Sequence, residues 1–244
     1  MKIGIIGAGN IGATLARKLA AQGHEIKIAN SKGPETLADL ARNVGASAVS
    51  KEEAVADVEV VILSVPFGSH SDLATVFQNV QEDVIVVDTS NYYPFRDGAI
   101  PEVDAGKPES VWVSEQIKRP IVKAWNAVLA ATLSERGQQP TDKGRIAIPV
   151  AGDDPKSKLV VMKLVEETGF DPVDSGELGS SWRQQSGTPA YCTELTAEEL
   201  KAALEAADRS RAASVRDTLI KQFMEAGATI SHDDMVARNR AATA

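Results

Sequence analysis

The chain has 244 residues, 43% of them hydrophobic and 25% charged, enough for one large or two modest globular domains. A formal net charge of −8 argues against nucleic acid or an anionic membrane surface as the main partner, and no stretch approaches the ~20 consecutive apolar residues of a membrane span. One cysteine, Cys192, excludes an internal disulfide, and His24, His70 and His232 have no metal-ligand spacing, so no metal site is expected.

The chain opens on an apolar strand run, Lys2-Ile-Gly-Ile-Ile6, that ends in Gly7-x-Gly9-x-x-Gly12. It enters this strand without a cleavable signal, so the expected compartment is the cytoplasm. The stretch Ala13 to Gly23 reads as a helix with Ile11, Leu15 and Leu19 on its apolar face and a glycine stop. Glycines between a strand and a helix point to a dinucleotide site: Gly7 for the tight turn, Gly9 for pyrophosphate approach and Gly12 for close helix packing. The second strand, Glu25 to Ala29, leads into Asn30-Ser31-Lys32-Gly33-Pro34. An NAD site places Asp or Glu about 20 residues beyond the glycines to hold the ribose diol. Here Asn30 stands instead, followed by a hydroxyl and an ammonium that suit a 2′-phosphate, so NADP(H) is the expected cofactor.

Gly33 to Val44 is a short helix, Ala46 to Val49 a brief strand, and Ser50 to Glu53 has the form of a capping box. Val58 to Val65 is the strongest strand, nearly all β-branched, as expected of a central parallel strand covered on both faces; Pro66 ends it. Asp83 to Asp88 is the next, followed by Thr89-Ser-Asn91-Tyr92-Tyr93. Further strands are read at Arg119 to Asn126, Arg145 to Val150 and Phe170 to Asp174. A helix opens at Gly152-Asp-Asp-Pro155 and runs through Glu167. From Thr196 the chain is helical, with a Thr196-x-x-Glu199 capping box and apolar positions at Leu200, Leu204, Ala207, Val215, Leu219, Ile220 and Phe223. The expected fold is α/β, a Rossmann-type doubly wound, mostly parallel sheet with a smaller, mostly helical C-terminal unit. Residues 1–120 form an NADP-binding domain and residues 121–244 a sheet extension with a helical substrate or dimerisation region. The apolar face of that helical unit covers either the sheet edge or a twin subunit in a homodimer; the sequence leaves both open.

In Ile5 to Gly12, Asn30 to Lys32, Ile62 to Phe67, Val87 to Asn91, Val122-Lys-Ala-Trp-Asn126, Val150-Ala-Gly-Asp-Asp154 and Val173-Asp-Ser-Gly-Glu-Leu178, the chain resembles the NADP-dependent oxidoreductases of the coenzyme F420 (deazaflavin) reductase family. The family's relatives include the cytosolic domain of membrane-bound metalloreductases. The resemblance implies that Asn10 and Ile11 meet the pyrophosphate, that Ser31 and Lys32 meet the 2′-phosphate, and that Ser64, Val65 and Pro66 lie along the cofactor toward its nicotinamide. It also brings Asn91 and Asn126 toward the reacting ring. Lys32 stands where many members carry Arg, and the segment from Trp182 to Tyr191 with the helical tail does not map onto the deazaflavin site.

Direct hydride transfer from a nicotinamide to a flavin or deazaflavin needs two rings face to face and no obligatory acid or base. The sequence offers no nucleophile motif, no recognisable pair of carboxylates and no Ser/Tyr-Lys signature. No catalytic side chain is therefore assigned, and Asn91, Lys123, Asn126 and His70 are positioning candidates. Their plain readings are a strand-end lysine for Lys123 and a surface histidine for His70; Tyr92 and Tyr93 would line a loop wall, and Asp153 and Asp154 would cap a helix. Two other classes stay open. β-Hydroxyacid dehydrogenases share the N-terminal half, but they use a lysine with an asparagine four residues later on a long helix, whereas Lys123 and Asn126 are three apart on a strand. The third reading is a non-enzymatic NADP-binding redox sensor.

Overall fold

The computed structural model describes residues 1–227 and 230–244. The first half contains β1 Lys2–Ile6, α1 Asn10–Ala21, β2 Glu25–Ala29, α2 Ala38–Val44, β3 Ser47–Ala48, α3 Lys51–Ala54, β4 Val60–Leu63, β5 Ile85–Asp88, α4 Pro94–Asp97, α5 Pro101–Asp104 and α6 Glu109–Ile117. The second half contains β6 Val122–Lys123, α7 Ala130–Glu135, β7 Ala147–Gly152, α8 Pro155–Glu167, β8 Asp171–Asp174, α9 Ala197–Glu205, α10 Arg209–Ala226 and α11 His232–Thr243. Tighter 3-10 turns lie at Pro34–Leu37, Phe67–Leu73 and Leu178–Gln184.

One eight-stranded sheet runs in the order β3-β2-β1-β4-β5-β6-β7-β8. Every pairing is parallel except β6 with β7. This is the doubly wound Rossmann-type α/β fold expected from the alternation of strands and helices. The two-residue period of a strand sorts its side chains onto two cores. Ile3, Ile5, Val60 and Ile62 join Leu15 and Leu19 of α1, Ala41 of α2 and Leu164 of α8 on one face. Ile6, Val61 and Leu63 join Phe67, Tyr92, Trp112 and Ile117 on the other. Each fully buried Ile or Leu stabilises the fold by about 1.5–3 kcal/mol, so a central strand buried on both faces anchors the whole sheet.

Several elements differ from the sequence reading. Helix α1 starts at Asn10, inside the glycine motif, because Gly9 is its N-cap. The strand read over Arg119 to Asn126 shrinks to Val122–Lys123, since Trp125 turns the chain with a left-handed backbone (φ 56). Helices α4 to α6 carried no readable period. Proline opens α4 and α5, and α6 buries the polar Glu109 and Ser110 beside Trp112, Val113 and Ile117, which masks the apolar stripe. At the C-terminus, Leu200 and Leu204 of α9 pack on Ala147, Val173 and Ala190, covering the β7–β8 end of the sheet. Helix α10 buries only Leu219, while Met224 and the nearby Phe95 stay exposed. No helix among the described residues is long and apolar enough to cross a membrane.

Candidate functional site

The glycine loop joins the carboxyl end of β1 to α1, and its three glycines are there for different reasons. Gly7 sits at φ 112, and a Cβ on it would lie 2.0 Å from the Ser64 carbonyl oxygen. A Cβ on Gly12 would lie 1.9 Å from the Gly7 carbonyl oxygen, so these two glycines let strand, loop and helix touch. A Cβ on Gly9 would meet nothing within 4 Å. Gly9 caps α1 without a side-chain bond, and the first amide to find an acceptor within the helix is Ala13 N–H, on Gly9 O at 2.9 Å. The preceding amides of Asn10, Ile11 and Gly12, with no acidic residue in the first turn, form the positive end of a twelve-residue helix facing open space. That arrangement fits a pyrophosphate.

After β2, the Asn30 side chain shapes the turn: its Oδ1 accepts Lys32 N–H at 2.8 Å and its Nδ2 donates to Thr36 Oγ1 at 2.9 Å. Ser31 and Lys32 project exposed from this turn, and neither side chain has a hydrogen bond or ion pair among the described residues. Ser64, Val65 and Pro66 follow β4; Ser64 N–H bonds Ile6 O at 2.8 Å, and a Cβ on Gly12 would reach within 3.2 Å of Ser64 Cβ. The Gly9 loop, the Ser31–Lys32 turn and the Ser64–Pro66 segment thus follow three adjacent parallel strands at their carboxyl ends, the edge where open α/β sheets bind ligands.

At the same edge, the segments after β5 and β6 are joined by amides. Asn91 Nδ2 donates to Asn126 O at 2.9 Å, and Asn126 Nδ2 donates to Asn91 Oδ1 at 3.1 Å and Gln184 O at 2.8 Å. Gln184 Nε2 returns a bond to Asn126 Oδ1 at 2.9 Å, and Ser175 Oγ donates to Gln184 Oε1 at 2.6 Å. The network is nearly closed: Asn126 and Gln184 are buried, and Asn91 alone of the three is half-exposed. Gln184 lies in the segment that the sequence could not place, and only tertiary packing brings it here. Tyr191, from that same segment, meets Tyr93 OH to OH at 2.5 Å, and burial pushes the Tyr93 phenol up to about 12.

Two positioning candidates are elsewhere. His70 is not a surface histidine but fully buried, with Nδ1 on Phe67 O at 2.8 Å and Nε2 3.3 Å from Asp88 Oδ1, a close contact without hydrogen-bond alignment. Lys123 is not a free strand-end lysine. Its Nζ is fully buried, donating to Asp88 Oδ2 at 2.6 Å and Ser90 O at 2.5 Å. Burial alone would raise the Asp88 carboxyl, but the Lys123 ammonium and His70 outweigh it and hold that carboxyl well below the ordinary range. Tyr92, expected on a loop wall, is instead a core residue packed 5.3 Å from the Phe67 ring, its hydroxyl donating to Asp104 Oδ1 and accepting Ile100 N–H. Asp154 does cap α8, on Ser157 N–H at 2.8 Å, while Asp153 accepts Leu178 N–H.

Residues 2–92 match the family model described as NADP oxidoreductase, coenzyme F420-dependent. The crystal structure of hypothetical protein SMa0349 from Sinorhizobium meliloti superposes with a TM-score of 0.69 at 33% identity, covering 80% of this chain and 95% of that one. The protein YjhV of Escherichia coli K12 is 41% identical over 98 residues, 40% of this chain and 72% of its own length. Metalloreductase STEAP3 of Rattus norvegicus is 27% identical over 180 residues, which span 74% of this chain but only 35% of that protein.

Proposed function

Since the chain belongs to the family of coenzyme F420-dependent NADP oxidoreductases, and is thus an NADP-dependent oxidoreductase, we propose that it passes a hydride between NADP(H) and a planar, flavin-like or deazaflavin-like acceptor. The observation that carries this reading is the state of Lys123. A small hydroxy acid would need a base for its hydroxyl proton and a cation for its carboxylate; Lys123, at the end of β6, is locked between Asp88 and Ser90 O with no exposed surface, and Arg96, the exposed cation that follows β5, is already held by Asn91 O at 2.7 Å and by Asp97 at 2.9 Å. On this reading the nicotinamide end meets Asn91, held by Asn126 and by Arg96 on its carbonyl, beside Tyr93, whose ring lies under the Arg96 guanidinium.

On this reading the amides of Asn10 to Gly12 hold the pyrophosphate, and Ser31 and Lys32 hold the 2′-phosphate. Ser64 to Pro66 direct the nicotinamide toward Asn91. NADPH, once bound, supplies the hydride and its electron pair. The Asn91–Asn126–Gln184 network keeps its amides fixed, so the acceptor ring is positioned against a rigid wall rather than a mobile loop. No protein group has to gain or lose a proton during the transfer, and the buried Tyr93 phenol keeps its proton at neutral pH.

The test is single-turnover mixing of the purified chain with NADPH deuterated at the transferring position of the nicotinamide and an oxidised deazaflavin, with flavins, ferric chelates and quinones in parallel. Deuterium is expected on the reduced deazaflavin ring, with a primary isotope effect on the rate. The proposal fails if NADPH binds but no planar acceptor oxidises it, and hydroxy-acid-dependent NADP+ reduction would assign the chain to the dehydrogenase class.

A further inference from the structure

Between the α5–α6 turn, the end of the Leu178–Gln184 segment and α10 lies a cavity of about 280 Å3 that includes none of the residues assigned to the nucleotide. Glu109, Trp182, Gln185, Ser186, Arg209 and Arg216 make its polar walls. Arg216 is the most telling. Its side chain is only 11% exposed, and it reaches Asp217 Oδ1 through Nε at 2.8 Å, yet Asp217 does not line the cavity. Among the described residues neither terminal nitrogen of Arg216 has a hydrogen-bond acceptor, although a guanidinium presents five donors. Arg209 gives one terminal nitrogen to Gly106 O and lies 5.5 Å from the Trp182 ring, which fixes the plane of its guanidinium while leaving its other donors open.

Opposite stands Glu109, 1% exposed, with Oε2 meeting no partner. Burial pushes its carboxyl up, against the opposing influence of Lys123, Gln185, Tyr92 N–H and Arg216. Asp104 is the one other carboxylate on the wall, and it already accepts the Tyr92 hydroxyl at 3.0 Å. Arg209 and Arg216 thus bring guanidinium donors to the wall that meet no acceptor among the described residues.

We propose that this cavity binds a small organic anion, seating a carboxylate or phosphate group between Arg209 and Arg216. The volume falls just below the ~300 Å3 at which pockets for drug-sized ligands begin, which suits a molecule the size of a short dicarboxylate or inorganic phosphate. A planar oxyanion matches the guanidinium fork.

The test is calorimetric titration of the full chain with succinate and with inorganic phosphate at constant ionic strength, on wild type, Arg216→Gln and Arg209→Lys. Saturable binding by wild type of at least one probe is expected, weakened roughly 10-fold or more in Arg216→Gln, the loss of one charge-assisted contact. Arg209→Lys, which keeps the charge and loses the fork, is expected to weaken succinate too, and it serves as the test if Arg216→Gln fails to fold. Succinate alone binding assigns the site to carboxylates, and phosphate alone assigns it to phosphates. The proposal is overturned if neither probe binds wild type saturably, or if both variants bind as wild type does, which places the anion elsewhere, such as at the α1 N-terminus. The readout involves no NADPH turnover, so its failure leaves the proposed oxidoreductase reaction untouched.

Discussion

Replacing Lys123 by Met keeps the length of the side chain and removes the ammonium that sits 2.6 Å from Asp88 Oδ2. Both partners are fully buried, so the variant leaves a carboxylate in the core with Ser90 N–H at 2.9 Å and His70 at 3.3 Å, but no ammonium, to answer it. Breaking one side of a buried ion pair costs about 3–5 kcal/mol, and for a chain of this size that lowers Tm by roughly 6–20 °C. The pH dependence separates a lost charge from a mere packing defect. In the wild type the folded Asp88 carboxyl is held below its unfolded value, so its contribution is present above about pH 4 and is lost as pH falls further. In Lys123→Met, desolvation acts without the ammonium and the folded value rises above the unfolded one; the sign reverses, and stability is lost as pH rises past about 4. The gap between the two proteins therefore widens from pH 4.5 to 7, the range in which urea unfolding followed by circular dichroism measures it. Asp88→Asn in the Lys123→Met background is expected to recover part of the loss, because a neutral amide replaces the stranded charge. A loss below about 1 kcal/mol, or a gap that stays flat with pH, would refute the ion pair as a stabilising core element.

Lys32→Ala is expected to weaken NADPH by about 1.5–3 kcal/mol and leave NADH nearly unchanged, as fluorescence titration of both cofactors reports; equal losses would remove Lys32 from the 2′-phosphate. Gly9→Ala puts its methyl into space that is open without ligand, so Tm should hold while calorimetric NADPH affinity drops sharply. Gly12→Ala places a methyl 1.9 Å from Gly7 O and should reverse that order, losing stability first. Asn126→Ala removes the bonds to Gln184 and Asn91, and is expected to slow single-turnover hydride transfer more than it weakens NADPH binding; the reverse pattern would place Asn126 in cofactor binding instead.

The sequence made the N-terminal half legible because its signals are local. A β-branched run such as Val60 to Leu63 can only be buried on both faces, and the Ser50–Glu53 and Thr196–Glu199 capping boxes each lie within four residues and form as read. The candidate site was legible only where one strand carries its own loop. Gln184 reaches Asn126 across 58 residues and Tyr191 reaches Tyr93 across 98, through a segment with no period and no regular strand or α-helix, and nothing in local spacing encodes such pairs. His70 and Lys123 were misplaced for a related reason. A titratable residue next to a ligand-binding edge looks available until its burial is known, and burial depends on Asp88, which pairs with Lys123 across 35 residues. That dependence runs toward function. Because Asp88 takes the ammonium and Ser90 O accepts its second bond, the one lysine that a dehydrogenase reading required instead fixes the loop that carries Asn91, and under the proposed reaction that buried charge would hold the edge rigid against a planar acceptor.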